Sequence, residues 1–239
     1  MPMMTMLLIF ICVYFTLLVV ILTHKKYINI KIANLTFIIV NTVLFVGYYI
    51  NDFVRKGVVE SLTFDQISPF TFTMLSASFL LNDKVKQYFY SSVAFLSIGM
   101  LIAMIVSPQQ AFLGSLRLDA SMLYVLDTLE HLNCSLFGIF LVASGQVKLS
   151  ADSLKKAFIW IYSVIALVLV MNFTFHLNYF NMGPYGKYSI YMFNLFDSYW
   201  LTLIVYLFGV SLVLMLGYGF NYIILKLTEE KETINNEEV

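Results

Sequence analysis

The chain has 239 residues, a formal net charge of zero, 60% hydrophobic residues and only 12% charged ones. That balance excludes an ordinary soluble globule and leaves no electrostatic case for a nucleic-acid partner. Its two cysteines, Cys12 and Cys134, fall inside apolar runs, so neither a disulfide framework nor a Cys-rich metal knuckle is expected.

Crossing a bilayer takes about 20 apolar residues. Seven stretches qualify or come near: Met4 to Thr23, Ile32 to Ile50, Ile67 to Leu81, Tyr88 to Val106, Met122 to Ala143, Ala157 to Leu177 and Tyr199 to Leu225, the third being short. The first has no basic residue before its apolar run and no small-x-small cleavage pattern after it, which reads as a retained helix and not a signal peptide. Asn51 to Asp65 is a polar connection without a motif, and Ser107-Pro108 ends the fourth helix because proline disfavours helical geometry in the residue before it. Asn178 to Asp197 is rich in aromatics and asparagine around Met182-Gly183-Pro184-Tyr185-Gly186, as expected of an interfacial segment, an aromatic anchor or a lid. The expected fold class is therefore all-α: a polytopic bundle of about seven transmembrane helices over residues 1–226. A disordered acidic tail is expected over 227–239, with five glutamates and a single lysine from Glu229 onward.

Lysine and arginine distribute unevenly over the connections. Lys25, Lys26, Lys31, Lys84, Lys86, Lys148, Lys155, Lys156, Lys226 and Lys231 fall on one side, against Arg55, Lys56, Arg117 and Lys187 on the other. The positive-inside rule then places the N-terminus outside, the C-terminus in the cytoplasm and the protein in the cell membrane.

The most informative stretch is Leu126-Asp-Thr-Leu-Glu-His-Leu-Asn-Cys134. At about 100° per residue Asp127, Glu130, His131 and Cys134 share one helical stripe. A charged side chain near a bilayer centre costs about 2.5–3.5 kcal/mol on insertion scales, so such a cluster reads as a functional site. Acids near an interface can also serve merely to orient a helix, but His131 lies about three turns inside the span.

The alternating directions also bring Thr71 and Thr73 on the third helix, Asn172 and His176 on the sixth, and Asp197 to the same outer level, as a shared cavity requires. Singly, each has an ordinary role: an interfacial anchor for His176, an interhelical hydrogen bond for Asn172, a hydroxyl bonded to its own helix for Thr73. No phosphate loop, nucleophile elbow, His-Glu-x-x-His motif or internal repeat is present.

From the third helix onward the order of features resembles the YwaF family of bacterial integral membrane proteins, related to the transmembrane protein 164 acyltransferases. That family carries Leu-Pro-Leu-x-Leu-Cys on an early helix, Gly-His on a central one, and an Asn followed six residues later by Asn-Tyr. Here the corresponding residues are Ser68-Pro69-Phe70-Thr71-Phe72-Thr73, Glu130-His131, and Asn172 with Asn178-Tyr179; Pro108 matches a helix-ending proline, and Thr73 stands at the cysteine position. The resemblance implies acyl transfer on membrane lipids, a phospholipid or acyl-lipid substrate, with His131 as base.

Four functions follow as expectations. In a lipid acyltransferase or acyl hydrolase, His131 is oriented by Asp127 or Glu130, Thr73 or Cys134 attacks, and Asn172, His176, Asn178 and Tyr179 hold substrate or its oxyanion. A buried thiol is usually inert, and a threonine hydroxyl is a weaker nucleophile than a thiolate. A metal-dependent hydrolase lacks ligands, since only His131 and His176 are well placed and His24 lies at the opposite face; no metal or cofactor is expected. A proton- or cation-coupled transporter would use Asp127, Glu130 and His131 as a relay. A non-catalytic relative would bind lipid or a protein.

Overall fold

A computed structural model describes residues 3–56, 67–106, 121–183 and 198–237. Among them the regular structure is helical, with no strand: α1 (Met3–His24), α2 (Ile30–Lys56), α3 (Ile67–Ser76), α4 (Asp83–Val106), α5 (Ser121–Ala143), α6 (Ala151–Phe175) and α7 (Tyr199–Glu237), plus single 3₁₀ turns at Ser78–Leu80 and Tyr179–Asn181. The expectations placed on Ser107-Pro108, Arg117, Pro184 to Gly186, Lys187 and Asp197 lie outside the described residues.

Polar caps fix where several helices begin. The Asn29 side chain accepts from the amides of Lys31 and Ile32, Asn82 accepts from Val85, and Ser150 accepts from Ser153 at 3.2 Å. Each satisfies a first-turn amide that has no helical acceptor. These caps start α4 at Asp83 and α6 at Ala151, one to two turns before the apolar runs that mark them in sequence.

One expectation is corrected. The third span is a helix of 10 residues, rising about 15 Å, half of a hydrocarbon core of about 30 Å. It stops at Ser76, and the chain turns through Ser78–Leu80 before α4. α7 runs on past residue 227 to Glu237, in keeping with the high helix propensity of glutamate and lysine.

Four helices are long and apolar enough to cross a membrane among the described residues: Ile30–Asn51, Val125–Ala143, Ala151–Phe175 and Tyr199–Lys226; Leu8–His24 is a shorter apolar one. Their environments differ sharply, with 78% of the α5 window buried but only 6% of the α2 window. Large apolar side chains such as Val19, Leu35, Val43, Leu167 and Phe208 face outward. A soluble monomer does not leave apolar surface of this extent to water, and these faces are compatible with a multi-pass membrane protein.

α4 and α5 form the centre. α4 packs on α5, α6 and α7, while α5 packs on α4, α2, α1 and α3. The contacts fix relative directions: Asn34 meets Gln146 while Gly47 meets Leu126, so α2 and α5 are antiparallel. Ala94 meets Asn221 and Gly99 meets Val213, so α4 and α7 are antiparallel as well. The small residues explain how the backbones come so close. A Cβ on Gly138 of α5 would lie 2.6 Å from both the Val93 carbonyl and Ser97 Cβ of α4, and one on Gly217 of α7 would strike the Phe95 carbonyl. Glycine at these places lets main chains touch, the contact that joins helices when burial of apolar surface cannot.

Gly217→Val is expected to force α7 off α4 and destabilise the fold by about 1–3 kcal/mol, read as a lower thermal aggregation temperature in detergent. Gly219→Ala, two residues on with nothing within 4 Å of its added Cβ, is expected to leave that temperature unchanged.

Candidate functional site

The α5 stripe folds into the middle of the bundle. Glu130 is 2% exposed, His131 7% and Cys134 fully buried, while the Asp127 side chain keeps 20% exposure toward the N-terminal end of α5. His131 turns back along its own helix: Nδ1–H donates to the Asp127 carbonyl at 2.8 Å, and the same nitrogen lies 3.5 Å from the Asp127 carboxylate. One i, i+4 step thus fixes the imidazole and places an acid beside it. Because a carbonyl can only accept, Nδ1 carries a proton in this contact.

Glu130 differs from this pair. Its Oε1 is buried and, among the described residues, has no hydrogen-bond partner; the same holds for the hydroxyl of Thr128. Buried polar atoms nearly always find a partner, so an unsatisfied carboxyl oxygen marks a place where a proton, water or ligand group is accommodated.

The wall opposite His131 comes from α2 and α3. The Phe72 ring meets the imidazole edge-on, centroids 4.8 Å apart, and Asn41 of α2 fixes that segment by donating to the Phe72 carbonyl at 2.8 Å and to Ser76 Oγ at 2.9 Å. Asn41 Oδ1 is itself buried without a partner. Asn133 ties α5 to α2 through the Phe37 carbonyl. Sequence reasoning passed over Phe72, Thr128 and Asn41. For Asn41 a signal existed, an amide in an apolar run; for Phe72 none did, since its role comes from its position beside His131.

The remaining residues singled out in the sequence are placed elsewhere. Thr71 and Thr73 hydroxyls donate to the carbonyls of Ile67 and Pro69, four residues back on their own helix. α6 packs mainly on α4 and α7, not on α5. There Asn172 accepts from the Tyr179 amide at 2.8 Å and donates to the Tyr179 carbonyl at 2.9 Å, both functions of its amide taken up by one residue of the following segment. Asn178 accepts from the Gly183 amide, and Tyr199 donates to the Met182 carbonyl. His176, exposed, ends α6 in the left-handed conformation with φ 55°. Asn172, Asn178 and Tyr179 thus form a clamp that reverses the chain after α6, and Asp127, Glu130, His131 and Cys134 form a separate group on α5. No cluster of three or more His, Cys, Asp or Glu side chains suited to hold a metal ion occurs among the described residues.

No family model, curated protein or solved structure matches this chain. The chemistry open to it is that of the α5 group itself.

Asn172→Ala is expected to leave the Tyr179 amide and carbonyl without partners and to cost about 1–3 kcal/mol. Limited proteolysis should then cut faster after Asn178, with the α5 group undisturbed. Unchanged proteolysis would show that the clamp does not hold this segment.

Proposed function

We propose that the chain is a multi-pass protein of the cell membrane in which Glu130, with the Asp127–His131 pair, forms an intramembrane proton-exchange site of the kind a proton- or cation-coupled carrier uses. The single observation carrying this reading is the buried Glu130 carboxyl oxygen, without a partner among the described residues, one residue from a histidine whose Nδ1–H bonds the Asp127 carbonyl. Ionisable groups inside apolar helices that face a bundle interior mark proton and ion pathways more often than structure. The lysine bias supports an outward N-terminus and puts the α5 group in the outer half of the span.

A second reading, lipid acyl transfer with His131 as general base, is favoured by the contact of the His131 imidazole with Asp127, which orients the ring. Its other parts are less well supplied. Thr73 donates its proton to Pro69, Cys134 is fully buried, and Asn172 has both amide functions engaged at Tyr179. Proton exchange needs none of these groups to move. The resemblance to the YwaF family stands as support for the acyl-transfer reading and for a non-catalytic lipid-binding relative.

The test is infrared spectroscopy of the protein reconstituted in lipid. A protonated-carboxyl C=O band that titrates with bulk pH is expected in the native chain, absent in Glu130→Gln, altered in His131→Ala and retained in Thr73→Ala and Cys134→Ala. Absence of a titrating band, or its persistence in Glu130→Gln, would contradict the proposal. A change of lipid acyl composition in cells that depends on His131 would favour acyl transfer instead.

A further inference from the structure

Away from the α5 acid group, at the lysine-bearing end of the helices, the first turns of α4, the α5–α6 connection and the start of α6 border an open cleft of about 540 Å³ lined by Lys86, Gln87, Lys148, Ser153 and Lys156 among others. Its size falls in the range of about 300–1,000 Å³ found for small-molecule sites. Two aspartates also line it, but they stand at the rim: the Asp83 side chain is fully exposed and that of Asp152 is 70% exposed, against 28% for Lys86 and 25% for Lys156. Lys86 and Lys156 are thus set deeper than the aspartates, while Lys148 is exposed at the edge of the cleft.

The pairing within the cleft is lopsided. Lys156 contacts Asp152 at 2.7 Å and donates to Gln87 at 3.3 Å, whereas Lys86 reaches Asp83 only at 3.9 Å. Lys148 has no ion-pair partner among the described residues. Ser150, Asp152 and Ser153 bring the first turn of α6 to one wall, where the helix dipole also favours an anion.

Location decides which anion. The apolar spans Val125–Ala143 and Ala151–Phe175 end and begin at this cleft, through the turn at Gly145. A basic pocket at that level, where helices leave the hydrocarbon, is the geometry that holds lipid headgroups. From three lysines gathered on one cleft, two of them half-buried, and from this level we infer that the cleft is a binding site for the phosphate-bearing headgroup of an anionic phospholipid. The inference is independent of what Glu130 and His131 do.

Native mass spectrometry of the full chain in detergent, with phosphatidylglycerol or phosphatidylcholine added at equal concentration, tests it. The native protein should retain phosphatidylglycerol in preference to phosphatidylcholine. Lys86→Gln with Lys148→Gln should weaken that retention about fivefold per lysine removed. Lys155→Gln, an exposed charge on α6 outside the cleft, should match the native chain, and size-exclusion profiles establish that each variant is folded. Equal retention of the two lipids, or unchanged retention in the double variant, would overturn the inference. Displacement of the lipid by inorganic phosphate would assign the cleft to soluble phosphate and overturn the lipid reading as well.

Discussion

The rest of the bundle depends on the backbone contact between α4 and α5. Between apolar helices in an apolar solvent, burial gives no net drive to associate, so contact must come from close packing and from hydrogen bonds. Gly138 supplies the first by letting the α5 main chain reach Val93 and Ser97 of α4. Ser135, one turn earlier on α5, supplies the second: its hydroxyl donates to the Ser97 carbonyl at 2.8 Å and accepts from Tyr14 of α1, also at 2.8 Å. Three helices are joined at one level by two short bonds. α2 then attaches to α5 through Asn133, and α7 to α4 through Asn221 and the Gly217 contact, while α3 packs chiefly on α2 and α6 on α4. The acid–histidine group is buried because α5, which carries it, is the helix the others surround.

Helix positions were largely legible in the sequence because a run of about 20 apolar residues is long enough to cross a bilayer and too long for an ordinary strand. Met122 to Ala143 and Tyr88 to Val106 agree with α5 and α4 at their C-terminal ends. The disagreements have local causes. Counting apolar residues discards polar first turns such as Asp83-Lys-Val-Lys and Ala151-Asp-Ser-Leu-Lys-Lys, although Asn82 and Ser150 were readable as caps. It also runs Ile67 to Leu81 together, where the chain leaves the helix after Ser76. Which helices are central was not legible from hydropathy, since apolar residues facing lipid and protein score alike. Small residues were the available clue, as Ser91, Ser92, Ala94 and Ser97 are all buried along α4.

The polar residues divide by what they do with their hydrogen bonds. Asn133, Ser135, Asn172 and Asn221 spend theirs on main-chain groups of neighbouring segments, a structural use that spacing along one helix does not reveal. Glu130 and Thr128 have buried oxygens without a partner among the described residues, and His131 is held by the Asp127 carbonyl within its own helix. The stripe formed by Asp127, Glu130, His131 and Cys134 was visible from periodicity because it is local. The expected meeting with Asn172 was not visible in the same sense, since it depended on which helices are neighbours, and α6 lies chiefly against α4 and α7.

The central placement of α5 has a direct test in the native chain, whose two cysteines sit in opposite environments: Cys12 exposed on the outer face of α1 and Cys134 fully buried on α5. The measurement is the rate of alkylation of each by N-ethylmaleimide in mild detergent, followed by mass spectrometry and repeated after denaturation. The account predicts modification of Cys12 in the folded protein and of Cys134 only once the bundle is opened. Alkylation of Cys134 at the rate of Cys12 in the folded protein would contradict it, because α5 could not then be the enclosed helix of the fold.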